Sequence, residues 1–321
     1  MKKLVPYCFS MILMFLLLMP ASCMSSPTFL PVKGTGTQIE KNFTVADFHG
    51  IDVSGGFDVI LVQGNSEDLI LTAEEDLFKY IKVEVVQGIL KIYIEKNRIM
   101  TTGPMMAHIS FKSIDNLKVS GGGDIECETP INVPKLDLNL SGGGDLSTVI
   151  NTDELNSHIS GGGDAEIDGN IKNYSLSLSG GGDAKSNLVA GSIDCSISGG
   201  GDLTLGTKEK VNEARFSISG GGDITLEMSV EELQCSLSGG GGATLTGKAS
   251  SLEIEISGGG DVNASGFLTE TTSFNASGGS DIHINASKEL KGTISGGGDL
   301  YYSGNPVVTV DAKGGSKVHK Q

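Results

Sequence analysis

Residues 138–146 read Leu-Asn-Leu-Ser-Gly-Gly-Gly-Asp-Leu, and the same arrangement returns along most of the 321-residue chain. The motif Ser-Gly-Gly-Gly-Asp occurs intact eight times, with its serine at Ser120, Ser141, Ser160, Ser179, Ser198, Ser219, Ser257 and Ser295. Altered copies begin at Ser54, Ser238, Ser277 and Lys313. From Ser120 onward consecutive copies lie 18 to 21 residues apart. Self-similarity at a nearly fixed period of this size is typical of a solenoid in which each repeat forms one coil.

The residues around each motif alternate between apolar and polar. In most copies apolar residues stand one and three positions before the serine, and a mostly polar residue stands between them; Leu138, Asn139 and Leu140 are one example. After the aspartate the next residue is usually apolar and the following one polar, as at Leu146 and Ser147. This period of two predicts β-strands with one face buried.

The spacing of the apolar positions also predicts which way the glycines of the motif point. Apolar positions before and after the motif are separated by an even number of residues, so the alternation can run straight through it. The first and third glycines are then expected to point inward, and the serine, the middle glycine and the aspartate outward. Inward glycines indicate a close approach of another stretch of backbone or a sharp bend.

These patterns predict an all-β fold, a parallel β-helix or solenoid of roughly 19-residue coils over residues 116–321. One coil cannot bury its own apolar face, whereas about ten stacked coils at roughly 4.8 Å each form a rod about 50 Å long. We expect a right-handed path, because parallel crossovers nearly always have that hand. Residues 37–115 predict a less regular N-terminal β lobe. The 66 residues between Ser54 and Ser120 would allow three degenerate coils of the same solenoid.

The first residues predict export and a lipid anchor. Lys2 and Lys3 precede an apolar run that ends near Met19, which is typical of a secretory signal peptide. Ala21-Ser22-Cys23 resembles the end of a bacterial lipobox, so residues 1–22 are expected to be removed and Cys23 to be acylated. Residues 23–36 then form a tether to the membrane, in our interpretation the outer membrane, with surface and periplasmic orientations both open. The alternative is ordinary signal cleavage nearby, with Cys23 as a spare thiol.

The net charge and the cysteine content limit the kinds of partner and of cysteine site that we expect. The whole chain carries −16, and removal of Lys2 and Lys3 with the signal gives −16 − 2 = −18. Nucleic acid is therefore excluded as an expected partner, because phosphate binding needs a basic surface. The odd set of Cys127, Cys195 and Cys235 predicts buried free thiols rather than a disulfide framework or a zinc site.

Two further segments carry a resemblance to a known family. Residues 48–59 read Phe-His-Gly-Ile-Asp-Val-Ser-Gly-Gly-Phe-Asp-Val, and residues 85–92 read Val-Val-Gln-Gly-Ile-Leu-Lys-Ile. Together with the Ser-Gly-Gly-Gly-Asp arrays they resemble the head GIN domain family of autotransporter adhesins, which are common as exported Bacteroidetes lipoproteins. The resemblance covers about residues 45–310. It implies a two-lobed β-helical fold and an adhesive role, and it carries over no catalytic or ligand-binding residues.

Stacking the repeats predicts an outward column of acids, which we call the aspartate ladder. Its first six members are Asp124, Asp145, Asp164, Asp183, Asp202 and Asp223. One interpretation is a shallow glycine-floored groove that binds sugar hydroxyls, a protein or calcium. The other is structural, with the serines and aspartates satisfying backbone groups at a bend. Like charges about 5 Å apart repel by roughly 0.8 kcal/mol per pair in water, so the column needs hydrogen-bond donors or cations.

The sequence favours binding over catalysis, and no cofactor is expected. A glycine run binds phosphate only with a lysine and a following helix, whereas strands flank this one. The histidines His108, His158, His283 and His319 are interpreted as not sharing one repeat position. Arg215 is the residue that an acidic polysaccharide lyase of β-helical fold would use, and the regular coils argue against that alternative. The remaining alternative is an envelope spacer without a specific ligand.

Overall fold

A computed structural model describes residues 32–95 and 99–321 of the chain. The predicted signal peptide, Cys23 and most of the expected tether lie outside the described residues. The N-terminal strands are β1 (Val32–Lys33), β2 (Gln38–Phe43), β3 (Gly50–Ser54), β4 (Asp58–Gln63), β5 (Asp68–Glu74), β6 (Ile81–Val86), β7 (Ile89–Ile94), β8 (Ile99–Met100) and β9 (Met106–Phe111), with a 3₁₀ turn at Glu75–Leu77.

The remaining strands carry the repeats. They are β10 (Asn116–Gly121), β11 (Ile125–Cys127), β12 (Ile131–Asn132), β13 (Lys135–Gly142), β14 (Leu146–Gly161), β15 (Ala165–Gly180), β16 (Ala184–Gly199), β17 (Leu203–Thr207), β18 (Val211–Gly220), β19 (Ile224–Gly239), β20 (Ala243–Gly258), β21 (Val262–Gly278), β22 (Ile282–Gly296), β23 (Leu300–Ser303), β24 (Val307–Lys313) and β25 (Val318–Lys320).

From β10 onward the chain is a parallel β-solenoid of about 11 coils, each about 19 residues long. Neighbouring coils pair in parallel with a shift of one repeat, so that Ser141 lies beside Ser160 and Ser160 beside Ser179. The predicted fold class and period are therefore confirmed. Because parallel pairing at one-repeat register superimposes equivalent residues, each sequence position becomes a column that runs along the solenoid axis.

The inward columns form one hydrophobic core. The apolar positions before the motif, such as Leu138 and Leu140, are buried, as is Leu146 after it. A continuous cluster of buried side chains runs from Val45 in the N-terminal lobe to Leu300 near the C-terminal end. Burying one Val, Leu or Ile side chain contributes roughly 1.5–3 kcal/mol, so stacking compensates for the low aromatic content of the chain.

The glycines divide into three columns with different environments. The first glycine of the motif has a left-handed φ in every copy, for example +128° at Gly180, and it is not buried. The third is largely buried, and a Cβ added at Gly182 would lie 2.0 Å from the carbonyl oxygen of Gly163. The middle one, Gly181, would have nothing within 4 Å of its added Cβ.

The inward prediction is therefore right for the third glycine and wrong for the first. At the first glycine the left-handed φ turns the chain, so the alternation does not run straight through the motif. An L-residue there would be strained, and its Cβ would point along the axis into the coil below. At Gly180 that Cβ would lie 2.1 Å from the carbonyl oxygen of Gly161. Neighbouring coils can approach each other closely at this corner because the glycines of both coils have no side chain.

The N-terminal lobe does not consist of three further stacked coils, so that expectation was wrong. β3 pairs directly with β10, which places Ser54 beside Ser120. The residues between Ser54 and Ser120 contribute strands to the other edge of β3 and β4. There β7 pairs in parallel with β3, and β9 pairs in parallel with β4. The chain reverses there through an antiparallel β6–β7 hairpin, whose turn residues Gln87 and Gly88 both have positive φ, as a two-residue hairpin turn requires.

Antiparallel strands close this end of the solenoid. β5 pairs with β9, and β2 pairs in turn with β5. The sheet nevertheless continues without a break from the lobe into the repeats, through the β3–β10 and β4–β11 pairs.

Cys195 and Cys235 are buried as predicted, whereas Cys127 is only half-buried, which the prediction of three buried thiols had wrong. Cys127, Cys195 and Cys235 are free. Cys195 and Cys235 lie in one inward column with Phe216 between them, each three residues before the serine of its repeat. Burial raises the pKa of the Cys195 thiol, and it raises the pKa of Cys235 to about 12. Both thiols are therefore protonated and unreactive near neutral pH, because the thiolate is the nucleophile.

The corner geometry predicts different effects for neighbouring glycines. Gly180→Ala should destabilise the protein by about 1–3 kcal/mol, because alanine is strained at positive φ and its Cβ meets the coil below. Gly181→Ala, one residue later, is the matched control and should change the free energy of unfolding little. Thermal or urea denaturation measures both. Equal destabilisation by the two substitutions would contradict the assignment of the columns.

The burial of the thiols predicts slow labelling in the native state. Alkylation at pH 8 should modify Cys195 and Cys235 only after unfolding, and half-buried Cys127 faster than either. Mass spectrometry with and without denaturant reads out each site. A disulfide between Cys195 and Cys235, or rapid native labelling of Cys235, would be incompatible with this register.

Candidate functional site

The predicted aspartate ladder forms an outward column at one corner of the solenoid. Its first six members are all exposed: Asp124, Asp145, Asp164, Asp183, Asp202 and Asp223. Each carboxylate accepts a hydrogen bond from the backbone N–H at the ladder position of the next coil. The N–H of Asp183 donates to Oδ1 of Asp164 at 2.8 Å, and that of Asp202 donates to Oδ1 of Asp183 at 2.9 Å.

A second hydrogen bond, between main-chain atoms, links the same two coils. The carbonyl oxygen of Asp183 accepts the N–H of Ala165, the residue that follows the aspartate of the coil below, at 2.9 Å. Each ladder residue therefore binds the coil beneath it twice, once through its own amide and once through its carbonyl. In the first six members Oδ2 has no hydrogen-bond partner among the described residues, whereas Oδ2 of Asp299 lies 3.2 Å from Nε2 of His319.

These hydrogen bonds are strong enough to explain the like-charged column. A bond to a charged acceptor contributes about 1.5–3 kcal/mol, whereas adjacent carboxylates about 5 Å apart repel by roughly 0.8 kcal/mol in water. The hydrogen bond outweighs the repulsion without a cation. In the described part of the chain, no group of three or more His, Cys, Asp or Glu side chains is arranged to hold a metal ion.

The ladder changes at two places. Gly242 occupies an acid position; its N–H donates to Oδ1 of Asp223, but it offers no carboxylate to the amide of Asp261. Asp261, Asp281 and Asp299 then continue the column, and Lys317 ends it by donating its N–H to Oδ1 of Asp299 at 2.8 Å. Hydrogen bonds from Lys317 N–H and from His319 lower the pKa of Asp299.

The motif glycines beside the aspartate ladder form only a shallow surface depression. The middle glycines are exposed and open to solvent. A cavity of only about 10 Å³ is lined by first and third glycines such as Gly121 and Gly123 and by buried residues such as Val119 and Leu140, and no ladder aspartate lines it. That is about the space of one water molecule, so the ladder and its floor offer a flat repeated surface rather than a pocket.

A deeper groove lies on the outer face of the strands that precede the motif, in the coils of β19 to β22. It encloses about 290 Å³, close to the lower limit for small-ligand sites. Its floor contains small hydroxyl side chains, and its rim contains longer charged and amide side chains. Leu233, Leu252 and Thr272 are the buried members of the lining. The other lining residues are polar: Glu232, Gln234, Ser251, Glu253, Thr271, Ser273, Glu289 and Lys291.

The sequence analysis did not predict this groove, although the lengths of the outward side chains indicate it. Its floor positions, Ser251, Thr271 and Ser273, interrupt outward columns that carry longer side chains in flanking coils, such as Arg215 and Lys291. A local change from long to short side chains within a column therefore marks a depression on a solenoid. Arg215 itself is exposed and donates to Oε1 of Gln234 at 3.1 Å.

An aromatic column near the C-terminal end corrects the interpretation of the histidines. His283, Tyr301 and His319 pair in register in the last three coils. Their rings stack with centroids 4.7 and 4.9 Å apart. His283 and His319 thus share one repeat position. The relation follows from the altered copies that begin at Ser277 and Lys313, because each histidine lies six residues after the first residue of its copy.

Glu74 is a buried acid that the sequence did not single out. Its Oε1 accepts the N–H of Thr102 at 2.7 Å, the hydroxyl of Thr102 at 2.6 Å and the N–H of Gly103 at 3.0 Å. The hydrogen bond from the Thr102 hydroxyl is the main cause that lowers the pKa of Glu74. The carboxylate holds the loop before β9 against β5, so its role is structural.

The fold and the outer columns define a class: a parallel β-solenoid that presents the same polar side chains coil after coil. Within the described residues, no helix is long and apolar enough to cross a membrane. The family described as "Putative auto-transporter adhesin, head GIN domain" matches residues 47–214 and 207–306. The chain belongs to this family, which confirms the resemblance found in its sequence.

Solved structures add a general likeness. An adhesin described as putative from Parabacteroides distasonis is 19% identical, with coverage of 90% of this chain and 99% of that one and a TM-score of 0.43. One from Parabacteroides merdae is 20% identical, with coverage of 90% and 98% and a TM-score of 0.41. A "Putative lipid binding protein" from P. distasonis is 18% identical, with coverage of 91% and 100% and a TM-score of 0.41. A comparison with curated proteins finds no match.

The hydrogen bonds of the ladder predict how its members respond to substitution. Asp183→Asn should change stability little, because the amide oxygen still accepts the N–H of Asp202 and repulsion from Asp164 is removed. Asp183→Ala should cost about 1–3 kcal/mol, since the partner amide loses its acceptor. Denaturation with and without calcium separates this account from a cation site. A calcium-dependent gain in wild-type stability that Asp183→Asn abolishes and magnesium does not reproduce would refute it.

Proposed function

We propose that this protein is a lipid-anchored adhesin of the bacterial cell envelope that binds a glycan or protein through the outer face of its solenoid. The observation that carries the proposal is the repetition of identical polar groups at one-coil spacing along a rigid rod. A surface of this kind suits a repetitive ligand, because several weak contacts made together give a high avidity. Family membership supports the adhesive class.

Within that face, the groove around Ser251 and Thr271 is our candidate for the main contact. It offers hydroxyl, amide and carboxylate groups that can donate to and accept from sugar hydroxyls. The aspartate ladder, with its free Oδ2 atoms, is the second candidate for ligand contact. We place catalysis outside the proposed function; the descriptions of the family and of the neighbouring structures name adhesion or lipid binding.

The anchor part of the proposal rests on Ala21-Ser22-Cys23. Acyl chains on Cys23 would hold the protein at the membrane, since each buried methylene contributes about 0.8 kcal/mol. Fewer than ten residues would then separate the anchor from β1 (Val32–Lys33), so the solenoid would start close to the membrane. The outer membrane is the compartment that we propose.

A spacer without a specific ligand is the competing function. The observation in its favour is that the ladder carboxylates are already engaged by backbone amides, which explains the repeat without any ligand.

Binding by the groove can be tested with a glycan array and immobilised mucin. Ser251→Arg should fill the groove and weaken binding by about tenfold or more, equivalent to about 1.4 kcal/mol. Ser196→Arg, at an exposed outward position three coils away, is the matched control and should bind as the wild type does. Absence of binding to any glycan or mucin by the wild type would favour the spacer. Equal loss in both variants would remove the groove as the contact.

The anchor is tested by Cys23→Ala. The variant should be exported without acylation and be recovered in the soluble fraction, because it lacks the proposed acceptor thiol. Mass spectrometry of the mature N-terminus and membrane fractionation give the readout. Membrane retention of the variant at unchanged mature size would rule out Cys23 as the anchor.

A further inference from the structure

Strand β6 has an unpaired edge at the N-terminal end of the solenoid. It pairs with β7 on one side, and no other strand in the described part of the chain pairs with it. Natural edge strands are commonly protected by a proline, a bulge, a very short length or charged side chains. β6 is six residues long, pairs with β7 without a register shift and has only the last of these protections, at Lys82 and Glu84. Because the two charges are opposite in sign, they exclude some strands from this edge and fit others.

The turn of the β6–β7 hairpin determines which backbone groups of β6 are free. A two-residue turn makes the residues beside it, Val86 and Ile89, a hydrogen-bonded pair. Bonded and non-bonded pairs alternate along antiparallel strands, and the N–H of Glu95 donates to the carbonyl oxygen of Tyr80 at 2.9 Å, as this alternation requires. The even-numbered residues of β6 therefore bond to β7. The backbone N–H and C=O groups that point outward are those of Ile81, Val83 and Val85.

A row of alternating charges crosses the outer face of this sheet and ends at the free edge. The cross-strand neighbours in the row are Lys118 on β10, Asp52 on β3, Lys91 on β7 and Glu84 on β6. Nζ of Lys118 lies 3.6 Å from Oδ2 of Asp52. Opposite charges that face each other on neighbouring strands stabilise a sheet, and like charges destabilise it. A strand added to β6 therefore fits best with a cation beside Glu84.

A second copy of β6 supplies that cation. When Val83 faces Val83 of the second copy in an antiparallel pair, Lys82 of each chain faces Glu84 of the other. The free backbone groups then meet as bonded pairs, since odd-numbered residues face odd-numbered residues. The next register in one direction would bring Lys82 to face Lys82, and the next in the other direction would bring Glu84 to face Glu84. Charge therefore selects one register, and that register is two-fold symmetric.

The same register covers the exposed apolar part of the strand. Val83 and Val85 lie on the inner face of the sheet, where their β7 neighbours Ile92 and Leu90 are buried. Val85 itself is 38% exposed. In the paired register Val85 faces Ile81 of the second copy on the inner face. Pairing therefore satisfies the free backbone groups and removes apolar surface from water at the same time.

Lys82 and Glu84 already have one contact each within the chain, and both can take a second. Nζ of Lys82 lies 3.4 Å from Oε2 of Glu95, and the hydroxyl of Tyr93 donates to Oε1 of Glu84 at 3.2 Å. An ammonium has three donors and a carboxylate has two acceptor oxygens, so a charge across the edge adds to these contacts. The Lys82 side chain is 44% exposed, and Glu84 is exposed as well.

The net charge of the hairpin allows two copies to approach each other. Residues 81–94 carry Lys82 and Lys91 against Glu84, so their net charge is +2 − 1 = +1, whereas the whole chain carries −16. At physiological salt, exposed charges more than about 8 Å apart are largely screened. The acidic remainder of the two chains therefore opposes this contact only weakly.

We propose that β6 is a self-association edge, through which two copies of this chain pair antiparallel about a two-fold axis. Because β6 lies at the N-terminal end of the rod, the pair joins two solenoids end to end. Rotation about the two-fold axis keeps equivalent points of both chains at one level along that axis, so both proposed anchors can enter one membrane. The groove and the ladder lie on later coils, so the proposal stands independently of the adhesive function. A joined pair would present each ligand contact twice, which raises avidity.

Sedimentation velocity of the mature chain at physiological salt tests the proposal, with Cys23→Ala in every protein so that acyl chains cannot cause association. The contact is small, so the parent protein should show a weak, reversible monomer–dimer equilibrium. Lys82→Glu and Glu84→Lys should each weaken the dimer by about tenfold or more, because like charges then face each other at two symmetric points. Glu40→Lys, an exposed position on the edge strand β2, is the matched control and should dimerise as the parent does.

A charge exchange separates pairing between chains from effects within one chain. The double variant Lys82→Glu, Glu84→Lys should recover most of the lost affinity, because each exchanged residue again faces its opposite in the second copy. Within one chain the exchange places a lysine beside Lys91 and a glutamate near Glu95. Contacts inside the chain therefore become worse, and recovery cannot come from them. Melting temperatures show that all variants are folded.

Oxidative cross-linking locates the two-fold axis. Val83→Cys places two thiols opposite each other with a Cα separation of about 5.5 Å, which is within the range of a disulfide, so covalent dimers should form. Val85→Cys is the matched control. Its two Cα atoms would lie about 14 Å apart at about 3.4 Å per residue along the strands, so it should stay monomeric under the same conditions.

Four outcomes would overturn the proposal. They are a parent protein that stays monomeric, equal weakening by Glu40→Lys, failure of the charge exchange to recover affinity, and cross-linking of Val85→Cys in preference to Val83→Cys. Amide exchange of the monomer tests another occupant. Slow exchange at Val83 and Val85 in a protein that does not dimerise would assign the edge to another segment of the same chain, and it would overturn the proposal too.

Discussion

The close approach of neighbouring coils at the glycine corner is the constraint on which the rest of the structure depends. At Gly180 and Gly182 the backbone of one coil lies so near the next that a Cβ would fall about 2 Å from a carbonyl oxygen. This approach allows the aspartate of one coil to accept the amide of the next, with oxygen to nitrogen distances near 2.9 Å. The corner then sets the one-repeat register that the other columns follow, apart from local register shifts in the β20–β21 and β21–β22 pairs.

The register explains both the core and the surface. Because equivalent residues superimpose, an apolar position in the repeat becomes a continuous buried column, and a polar position becomes an exposed one. A change in a single coil therefore appears as a local feature of an otherwise uniform surface. The groove at Ser251 and Thr271 arises in this way, as do the missing carboxylate at Gly242 and the lysines of the last coil.

The sequence was sufficient to predict the solenoid, its period and the buried columns. All of these depend on a repeat that is visible as spacing and alternation. The sequence was insufficient where a feature depends on backbone conformation or on the pairing of strands that are distant in the chain. The left-handed φ of the first glycine cannot be read from three identical glycines. The reversal at Gln87 and Gly88, which brings β7 into the sheet beside β3, depends on tertiary pairing. The groove was missed because side-chain length, rather than polarity, shapes it.

Amide hydrogen exchange tests the central claim most directly. If the ladder bonds hold the coils in register, the surface amides of Asp183 and Asp202 should exchange slowly. The amide of Asp261, which has Gly242 beneath it and no carboxylate to donate to, should exchange about tenfold faster or more, as expected for the loss of a hydrogen bond to a charged acceptor. Gly242→Asp should slow exchange at Asp261. Equal exchange at all three amides, unchanged by Gly242→Asp, would contradict the account.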